Sequence, residues 1–337
     1  MNPNLPQALA QREPSHVYHV SAGHSAKLVA GVLAIALLLM MGLGLLQRVG
    51  ALPGNAHLRD PDSTIIATKA SMASEPTEKS VAFVGDSSCL INIDIPTLQQ
   101  SGIEAVNLGT LSYLGIDAFG LLARRFCEGK AKPRIILVLH PECLRMVEPS
   151  EDHRKILESA LGGGTGADGG WHWKDIRGVT FDAFRERLLD RWIPTPLKGR
   201  MGMRYGFTGD LRSELRSRGG TMEETASFDP SQPQGSAEYR LARRIRAECE
   251  AFRAALPKNA ELQLLISPIP KSHALRGHDA KVKEMQAQVE EWLKTDLPSL
   301  SLPSQWPDAE FGTVTHLLPS GAVNYSRILA QKLSVTR

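Results

Sequence analysis

A short polar turn follows an apolar run in the segment VAFVGDSSCL, residues 81–90. A serine on a Gly-Asp-Ser turn directly after a buried strand can hold its hydroxyl above the sheet as a nucleophile, and Ser87 has this position. The preceding Gly85 permits the tight backbone that such a turn needs. The other interpretation is that Asp86, Ser87 and Ser88 only cap the next helix, which Asp and Ser do well. Taken alone, this turn is more typical of a helix cap than of a nucleophile.

A nucleophilic serine needs a base, and His316 is the candidate. It lies in the segment FGTVTHLLPSGAVNYSRILA, residues 311–330, just before the last predicted helix. A lone histidine in a loop is usually a surface or satisfied polar residue. In an open sheet of parallel strands, however, the last strand-to-helix loop reaches the same edge as the first. The order of elements therefore predicts that Ser87 and His316 meet.

Strand and helix patterns alternate along the chain and predict the fold that would position these residues. Five apolar runs predict strands, at residues 81–84, 103–109, 133–141, 261–270 and 297–303. Segments with apolar residues at helical spacing separate them. Strands separated by helices indicate parallel pairing with helices on both faces. We therefore expect an α/β fold with a doubly wound, flavodoxin-like, three-layer parallel sheet of five strands and one N-terminal transmembrane helix.

The N-terminal third predicts a membrane anchor. Residues 28–46, LVAGVLAIALLLMMGLGLL, contain no charge and are long enough to cross the hydrocarbon of a bilayer. An N-terminal arm (1–27) precedes this helix, and a Pro-, Ser- and Ala-rich linker (47–80) follows it. Flanking charges barely discriminate the orientation. A short arm before one span usually leaves the main domain outside, which predicts a bacterial inner-membrane protein with a single pass and its domain in the periplasm.

Residues 81–337 form the predicted main domain, with an irregular insertion at about 148–236. The insertion is far longer than an ordinary loop, so we expect it to be functional or partly disordered.

Strand-end residues of the domain should lie along one edge of the sheet, among them His140 in the segment HPEC. This segment resembles the His-x-Glu of zinc deaminases, but no Pro-Cys-x-x-Cys follows. We expect His140 to line the pocket edge or to form hydrogen bonds within it.

Composition narrows the classes of function. The chain has 337 residues, a net charge of +3, and arginines spread over its second half, which does not indicate nucleic-acid binding. Its four cysteines lie in neither a CxxC motif nor a metal-ligand spacing. We therefore expect no nucleic-acid partner, no metal and no cofactor.

Several short segments, taken in order, resemble the SGNH/GDSL hydrolase superfamily, and within it a membrane-anchored branch associated with O-acetylation or D-alanylation of cell-surface polymers. FVGDSS resembles the nucleophile block, VNLGT the second block through Gly109, and THLLPSGA the last block. LLISPIPKSHA resembles the fourth strand of this branch. The resemblance covers about 81–145 and 237–333. It implies that Ser87 and His316 are the catalytic pair.

Two departures from the family pattern concern the supporting residues. The last block is Asp-x-x-His, and Thr313 stands at the Asp position. A hydroxyl can orient the imidazole but cannot stabilise its cation. Asp308 and Glu310 are near in sequence and could substitute, although neither has the expected spacing. The third block should supply an Asn to the oxyanion hole, and this sequence has LHPECL there. Backbone amides of Ser88 and Gly109 could form the hole instead, with Asn107 as a further donor.

The resemblance implies acyl transfer to, or removal from, a cell-surface polysaccharide. It also implies a partner, a membrane-bound O-acyltransferase that delivers the acyl group. Because Ser87 and His316 are both present, we favour retained serine-dependent chemistry. The alternative is a catalytically degenerate binding or assembly subunit of a polysaccharide-modifying membrane complex.

Overall fold

A computed structural model of the chain describes residues 22–48, 61–145, 148–161, 208–226, 228–229 and 240–335. These residues fall into two compact units. The first contains the helix α1 (Ala22–Arg48), and the second contains all other elements. Parts of the predicted arm (1–21), linker (49–60) and insertion (162–207) lie outside the described residues.

Helix α1 covers the segment predicted to cross a membrane. Its apolar side chains are exposed, for example Leu28 at 73% and Leu38 at 68%. Within the described part of the chain, no helix combines the length and the apolar character that a membrane crossing requires. This finding contradicts the predicted transmembrane segment, and the prediction of an inner-membrane protein with a periplasmic domain falls with it.

The second unit alternates strands and helices. Its strands are β1 (Val81–Gly85), β2 (Ala105–Asn107), β3 (Arg134–Leu139), β4 (Glu261–Ile266), β5 (Ile269–Pro270) and β6 (Gln305–Trp306). Its helices are α2 (Pro61–Ser74), α3 (Ser87–Asn92), α4 (Ile95–Gln100), α5 (Ile116–Cys127), α6 (Glu151–Ala160), α7 (Thr208–Ser217), α8 (Ile245–Ala255), α9 (His278–Leu293) and α10 (Pro319–Val335). Short 3₁₀ turns lie at Ser112–Leu114, Lys271–His273 and Asp308–Glu310.

Strands β1 to β4 form one parallel sheet in the order β2-β1-β3-β4. Val81 of β1 lies opposite Ala105 of β2 and Arg134 of β3, and Arg134 lies opposite Glu261 of β4. The strands thus start level with one another, and their carboxyl ends meet at one edge, where sites of such sheets lie. The predicted α/β class with a parallel sheet and helices is confirmed, for four strands.

Two apolar cores cover the two faces of this sheet. Val84 of β1 belongs to the core that contains Phe119 of α5 and Phe252 of α8. Phe83, its neighbour in the strand, belongs to the other core with Leu329 of α10. Successive strand side chains point to opposite faces, so a strand that is buried on both sides reads as a continuous apolar run. This explains why runs such as VAFV mark the strands of this chain so clearly.

The predicted fifth strand, residues 297–303, differs from the structure. Leu297 and Leu300 donate backbone hydrogen bonds to Leu262 and Leu264 of β4, so the segment follows the sheet edge without forming a regular strand. Pro298 and Pro303 lack the N–H groups that a ladder requires. The regular pairing starts later, where β6 runs parallel to β5 as a separate two-stranded sheet.

The predicted linker also differs from the structure, because residues 61–74 form helix α2 and most of them are buried. Ile65 and Ile66 are fully buried in the core that also contains Phe119. The small residues that give this segment the composition of a linker also allow close packing of the helix. Residues 61–74 are therefore part of the α/β unit.

Candidate active site

Ser87 and His316 meet at the carboxyl edge of the sheet. β1 ends at Gly85 and α3 begins at Ser87, so the serine stands directly above the strand. Its Oγ lies 2.9 Å from Nε2 of His316, which precedes α10 in the chain. The structure thus brings together the nucleophile and base expected from the sequence. The imidazole is almost enclosed, since His316 is only 8% exposed.

Two glycines let the backbone close tightly around the serine. A Cβ at Gly85 would stand 1.8 Å from the carbonyl oxygen of Val138 in β3. A Cβ at Gly109, the glycine of the second block, would stand 2.4 Å from the backbone nitrogen of Leu90 in α3. Both distances are far shorter than a side chain allows. These glycines therefore serve the close approach of β3 and α3 to the turn that carries Ser87.

Asp86 fixes this turn from inside the protein. It is fully buried, and its Oδ1 accepts hydrogen bonds from the Ser88 backbone N–H at 2.8 Å and the Ser88 hydroxyl at 2.6 Å. Its Oδ2 accepts the backbone N–H of His140 at 2.7 Å. Burial raises the pKa of the Asp86 carboxyl. The helix-cap interpretation thus describes Asp86 and Ser88, whereas Ser87 is left to face His316.

The acid behind the histidine is Glu224, a residue that the sequence argument missed. Its Oε2 lies 2.8 Å from Nδ1 of His316, and its side chain is 2% exposed. Its Oε1 accepts the backbone N–H groups of Thr225 and Ala226, each at 2.9 Å. A carboxylate at Nδ1 keeps the proton on that nitrogen and leaves Nε2 free to accept the serine proton. Ser87, His316 and Glu224 therefore form a complete triad.

Glu224 comes from the end of the insertion, and a buried lysine helps to hold that segment in place. The backbone N–H of Asn107 donates to the carbonyl of Gly219 at 2.9 Å. Lys69 of α2 is fully buried, and its Nζ donates to the carbonyls of Asn107, at 2.9 Å, and of Gly220. Gly220 has φ +99°, and a Cβ there would be 2.0 Å from the Asn107 carbonyl oxygen. Only glycine fits this junction.

The next two residues attach the same segment to the corner between α3 and α4. The hydroxyl of Thr221 donates to the carbonyl of Ile93 at 2.8 Å and accepts the backbone N–H of Ile95 at 3.1 Å. The backbone N–H of Met222 donates to the carbonyl of Leu90 at 3.0 Å. Glu224 is thus placed by tertiary hydrogen bonds, without regular secondary structure of its own.

The two predicted His-orienting residues do not contact the imidazole. The hydroxyl of Thr313 accepts the backbone N–H of His316 at 3.1 Å, so it shapes the loop rather than the ring. The carboxylate of Asp308 accepts the backbone N–H of Ser272 at 3.0 Å. Both predictions are corrected by Glu224, which reaches the ring from a segment that is 92 positions away in sequence.

Asn92, at the end of α3, holds the loop that carries His316. Its Oδ1 accepts the backbone N–H of Leu317 at 2.8 Å. Its Nδ2 donates to the carbonyl of Thr315 at 3.1 Å and to the hydroxyl of Ser267 at 2.9 Å. Asn92 is fully buried, so one side chain satisfies polar groups on both sides of the histidine and ties them to the helix that begins with Ser87.

The three predicted oxyanion donors are engaged elsewhere. The Ser88 backbone N–H is bound by Asp86, and the Gly109 backbone N–H donates to Oδ1 of Asn107 at 2.8 Å. Nδ2 of Asn107 donates to the carbonyls of Cys89 at 2.7 Å and Ile93 at 3.1 Å. Buried polar groups that already pair with protein atoms must give up those bonds before they can hold a substrate. The prediction for Ser88, Gly109 and Asn107 is therefore corrected.

Sequence signals for the missed residues exist but are weak. The pair Gly219-Gly220 marks a turn just before the acidic segment TMEET, inside the irregular insertion. Asn92 is a polar residue within the otherwise apolar run LINI at the end of the nucleophile segment. Each signal marks an unusual local sequence, but neither indicates which distant residue that segment contacts.

Burial makes the four cysteine thiols of the chain poor nucleophiles. Cys89, Cys127, Cys143 and Cys249 are buried and free. Burial raises the pKa of Cys127 and of Cys249 to about 12, which keeps both protonated. Among the described residues, no group of three or more His, Cys, Asp and Glu side chains is arranged to hold a metal ion.

A comparison with protein-family models found no match, and no curated protein is significantly similar to the chain.

Proposed function

We propose that this protein is a serine-dependent O-acyltransferase or esterase. Ser87 Oγ attacks the carbonyl carbon of an O-acyl donor, and His316 Nε2 takes the hydroxyl proton as the new C–O bond forms. His316 returns this proton to the departing alcohol oxygen, which leaves an acyl group on Ser87. An acceptor hydroxyl, or water, then attacks the acyl carbon with His316 again acting as base. Glu224 stabilises the imidazolium in both half-reactions.

One observation carries this proposal: a buried carboxylate, an imidazole and a serine hydroxyl are joined by two hydrogen bonds, of 2.8 Å and 2.9 Å. A histidine that is merely structural does not need a buried glutamate on one nitrogen and a serine hydroxyl on the other. Thr313 at the Asp position of the resembling family is a reason to expect lost activity. Glu224 supplies a carboxylate to His316 from another segment, so this reason no longer applies.

The order β2-β1-β3-β4 supports a flavodoxin-like arrangement, in which the edge segment 297–306 takes the place of the fifth strand. Such an arrangement is that of the SGNH/GDSL hydrolases, which the sequence resembles. From this resemblance, the substrate is an O-acyl group of a cell-surface polysaccharide. A membrane-bound O-acyltransferase is the proposed partner that supplies the acyl group.

The test is labelling of the full chain with a fluorophosphonate probe, which reacts with activated serines. We expect labelling of the wild type and of Ser88→Ala, and its loss in Ser87→Ala and His316→Ala. Ser88 is the matched control, because it is the adjacent serine and its hydroxyl is bound to Asp86. A folded wild type that stays unlabelled would contradict the proposal and favour a binding or assembly subunit.

A further inference from the structure

The register of β1 and β3 places a second histidine beside the nucleophile. Gly85 of β1 lies opposite Val138 of β3. Ser87 and His140 each follow two residues later, beyond the ends of these neighbouring parallel strands. The His140 backbone N–H reaches Oδ2 of Asp86 at 2.7 Å, which holds the two chain segments together at this point. His140 and Ser87 therefore lie next to each other at the carboxyl edge of the sheet, the edge on which Ser87 would attack a substrate.

The hydrogen bonds of His140 determine which ring nitrogen carries the proton. The backbone N–H of Glu142 donates to Nδ1 at 3.1 Å, and since an amide N–H only donates, Nδ1 must be the acceptor. A neutral imidazole with an acceptor at Nδ1 has its proton on Nε2. Burial, followed by the charges of His316, His278 and Arg145, lowers the pKa of His140 to about 3. The ring is thus neutral at ordinary pH, with an N–H at Nε2.

This N–H group is left without an acceptor. His140 is 3% exposed, and its Nε2 is buried with no hydrogen-bond partner among the described residues. A buried donor without a partner costs about 1–3 kcal/mol, and a substrate oxygen at this edge of the sheet would supply the missing acceptor. The predicted oxyanion donors are all engaged, and a neutral imidazole N–H is able to polarise a carbonyl oxygen.

We propose that the Nε2–H of His140 donates a hydrogen bond to the oxyanion that forms when Ser87 attacks the acyl carbonyl. This inference rests on the proposed function, because it needs Ser87 to act as a nucleophile. It also gives a reason for a histidine in LHPECL, where the resembling family has an asparagine: the imidazole supplies the N–H that an amide side chain would supply.

The first test measures acylation of Ser87 by p-nitrophenyl acetate under single-turnover conditions. His140→Phe keeps a ring and removes the donor, and we expect its acylation rate to fall about 10²–10³-fold. His140→Gln restores a side-chain N–H, and we expect it to recover part of that rate. The control is His273→Phe. His273 is another buried histidine with an unpartnered Nε2, but its ring packs on Phe228, with 5.3 Å between ring centroids. We expect the control to react like the wild type.

The second test is measured on the wild type, and a variant serves only to assign one resonance. In protein with ¹⁵N-labelled histidine, the Nε2–H resonance of His140 is identified by its absence from His140→Gln. When a fluorophosphonate modifies Ser87, the phosphoryl oxygen takes the place of the oxyanion, and we expect this proton resonance to move downfield.

The outcomes separate the two proposals. If the wild type forms no Ser87 adduct with either reagent, the proposed function fails, and the role of His140 fails with it. If the adduct forms but His140→Phe acylates at the wild-type rate, or the resonance does not move, only the role of His140 is overturned.

Discussion

The proposed nucleophile and the proposed acid of this site are positioned in opposite ways. Ser87 sits in one continuous unit of strand, turn and helix, residues 81–92, and its position follows from local rules. Glu224 sits in the segment 218–226, which consists of turn and irregular chain after α7. Hydrogen bonds to α2, β2 and α3 hold that segment in place. The position of Ser87 can be inferred from the local sequence, whereas the position of Glu224 depends on tertiary contacts.

If Ser87 and Glu224 have the proposed roles, this difference indicates which part of the site can change its place in the sequence. The nucleophile needs a tight turn above a strand, so its motif is tied to β1. The acid needs only to present an oxygen to Nδ1 of His316, and any segment that reaches that nitrogen can do so. Thr313 at the expected acid position therefore does not remove the acid, because Glu224 approaches from the insertion.

The largest expected effect comes from Glu224→Gln, which keeps the shape of the side chain and removes its charge. An amide at Nδ1 cannot stabilise the imidazolium and can favour the wrong tautomer, so we expect kcat to fall about 10⁴-fold. Ester hydrolysis at saturating substrate measures this loss. The control is Glu223→Gln, since Glu223 is the neighbouring acid and pairs with Arg218 instead. Equal activity of the two variants would show that Glu224 is not the acid.

Next in size is the effect of Asn92→Ala, which cuts the link between the nucleophile helix and the His316 loop. The change leaves the Leu317 N–H and the Thr315 carbonyl without their partner. We expect the free energy of unfolding to fall by about 3–5 kcal/mol. Urea unfolding measures it, together with the Ser87 labelling rate of the folded fraction, which we expect to fall.

Asn259→Ala is the matched control for this variant. Asn259 also makes two side-chain bonds to backbone carbonyls, those of Lys130 and Ala131, but it is exposed. We expect it to cost less than about 1 kcal/mol, because water replaces the lost bonds. An Asn92→Ala protein as stable as this control would mean that the His316 loop does not depend on Asn92.

The sequence allowed prediction of the features that repeat along the chain. Buried parallel strands give apolar runs such as RIILVL, and the loop before α10 must reach the edge where Ser87 lies, so the Ser87–His316 pair could be expected. Glu224 could not, because its location depends on Lys69, Asn107 and Leu90, three residues distant in sequence. The oxyanion donors were misassigned because strand and helix patterns do not reveal that Asp86 and Asn107 already bind those amides.

Lys69→Met tests how the acid segment is anchored, through the pH dependence of stability. Burial lowers the pKa of Lys69 from 10.5 to about 7, so between these values the unfolded chain binds a proton that the native protein does not. Native stability should therefore rise with pH across this window, by at most about 1.4 kcal/mol per pH unit. Urea unfolding of wild type and Lys69→Met at pH 7, 8 and 9 isolates this slope, since other titrating groups are common to both. If the unfolding free energies of the two proteins change with pH in parallel, Lys69 keeps its proton in the native state.

The smallest effect is expected for Thr313→Val, at the position where the resembling family carries its acid. The hydroxyl of Thr313 accepts the His316 backbone N–H at 3.1 Å, so its removal costs one side-chain bond, about 1 kcal/mol of stability. The imidazole keeps its bonds to Glu224 and Ser87, and kcat should therefore stay within about threefold of the wild type. Esterase assays on Thr313→Val beside Glu224→Gln make the comparison direct. A loss near 10⁴-fold in Thr313→Val, with Glu224→Gln active, would return the orienting role to the position that the sequence first indicated.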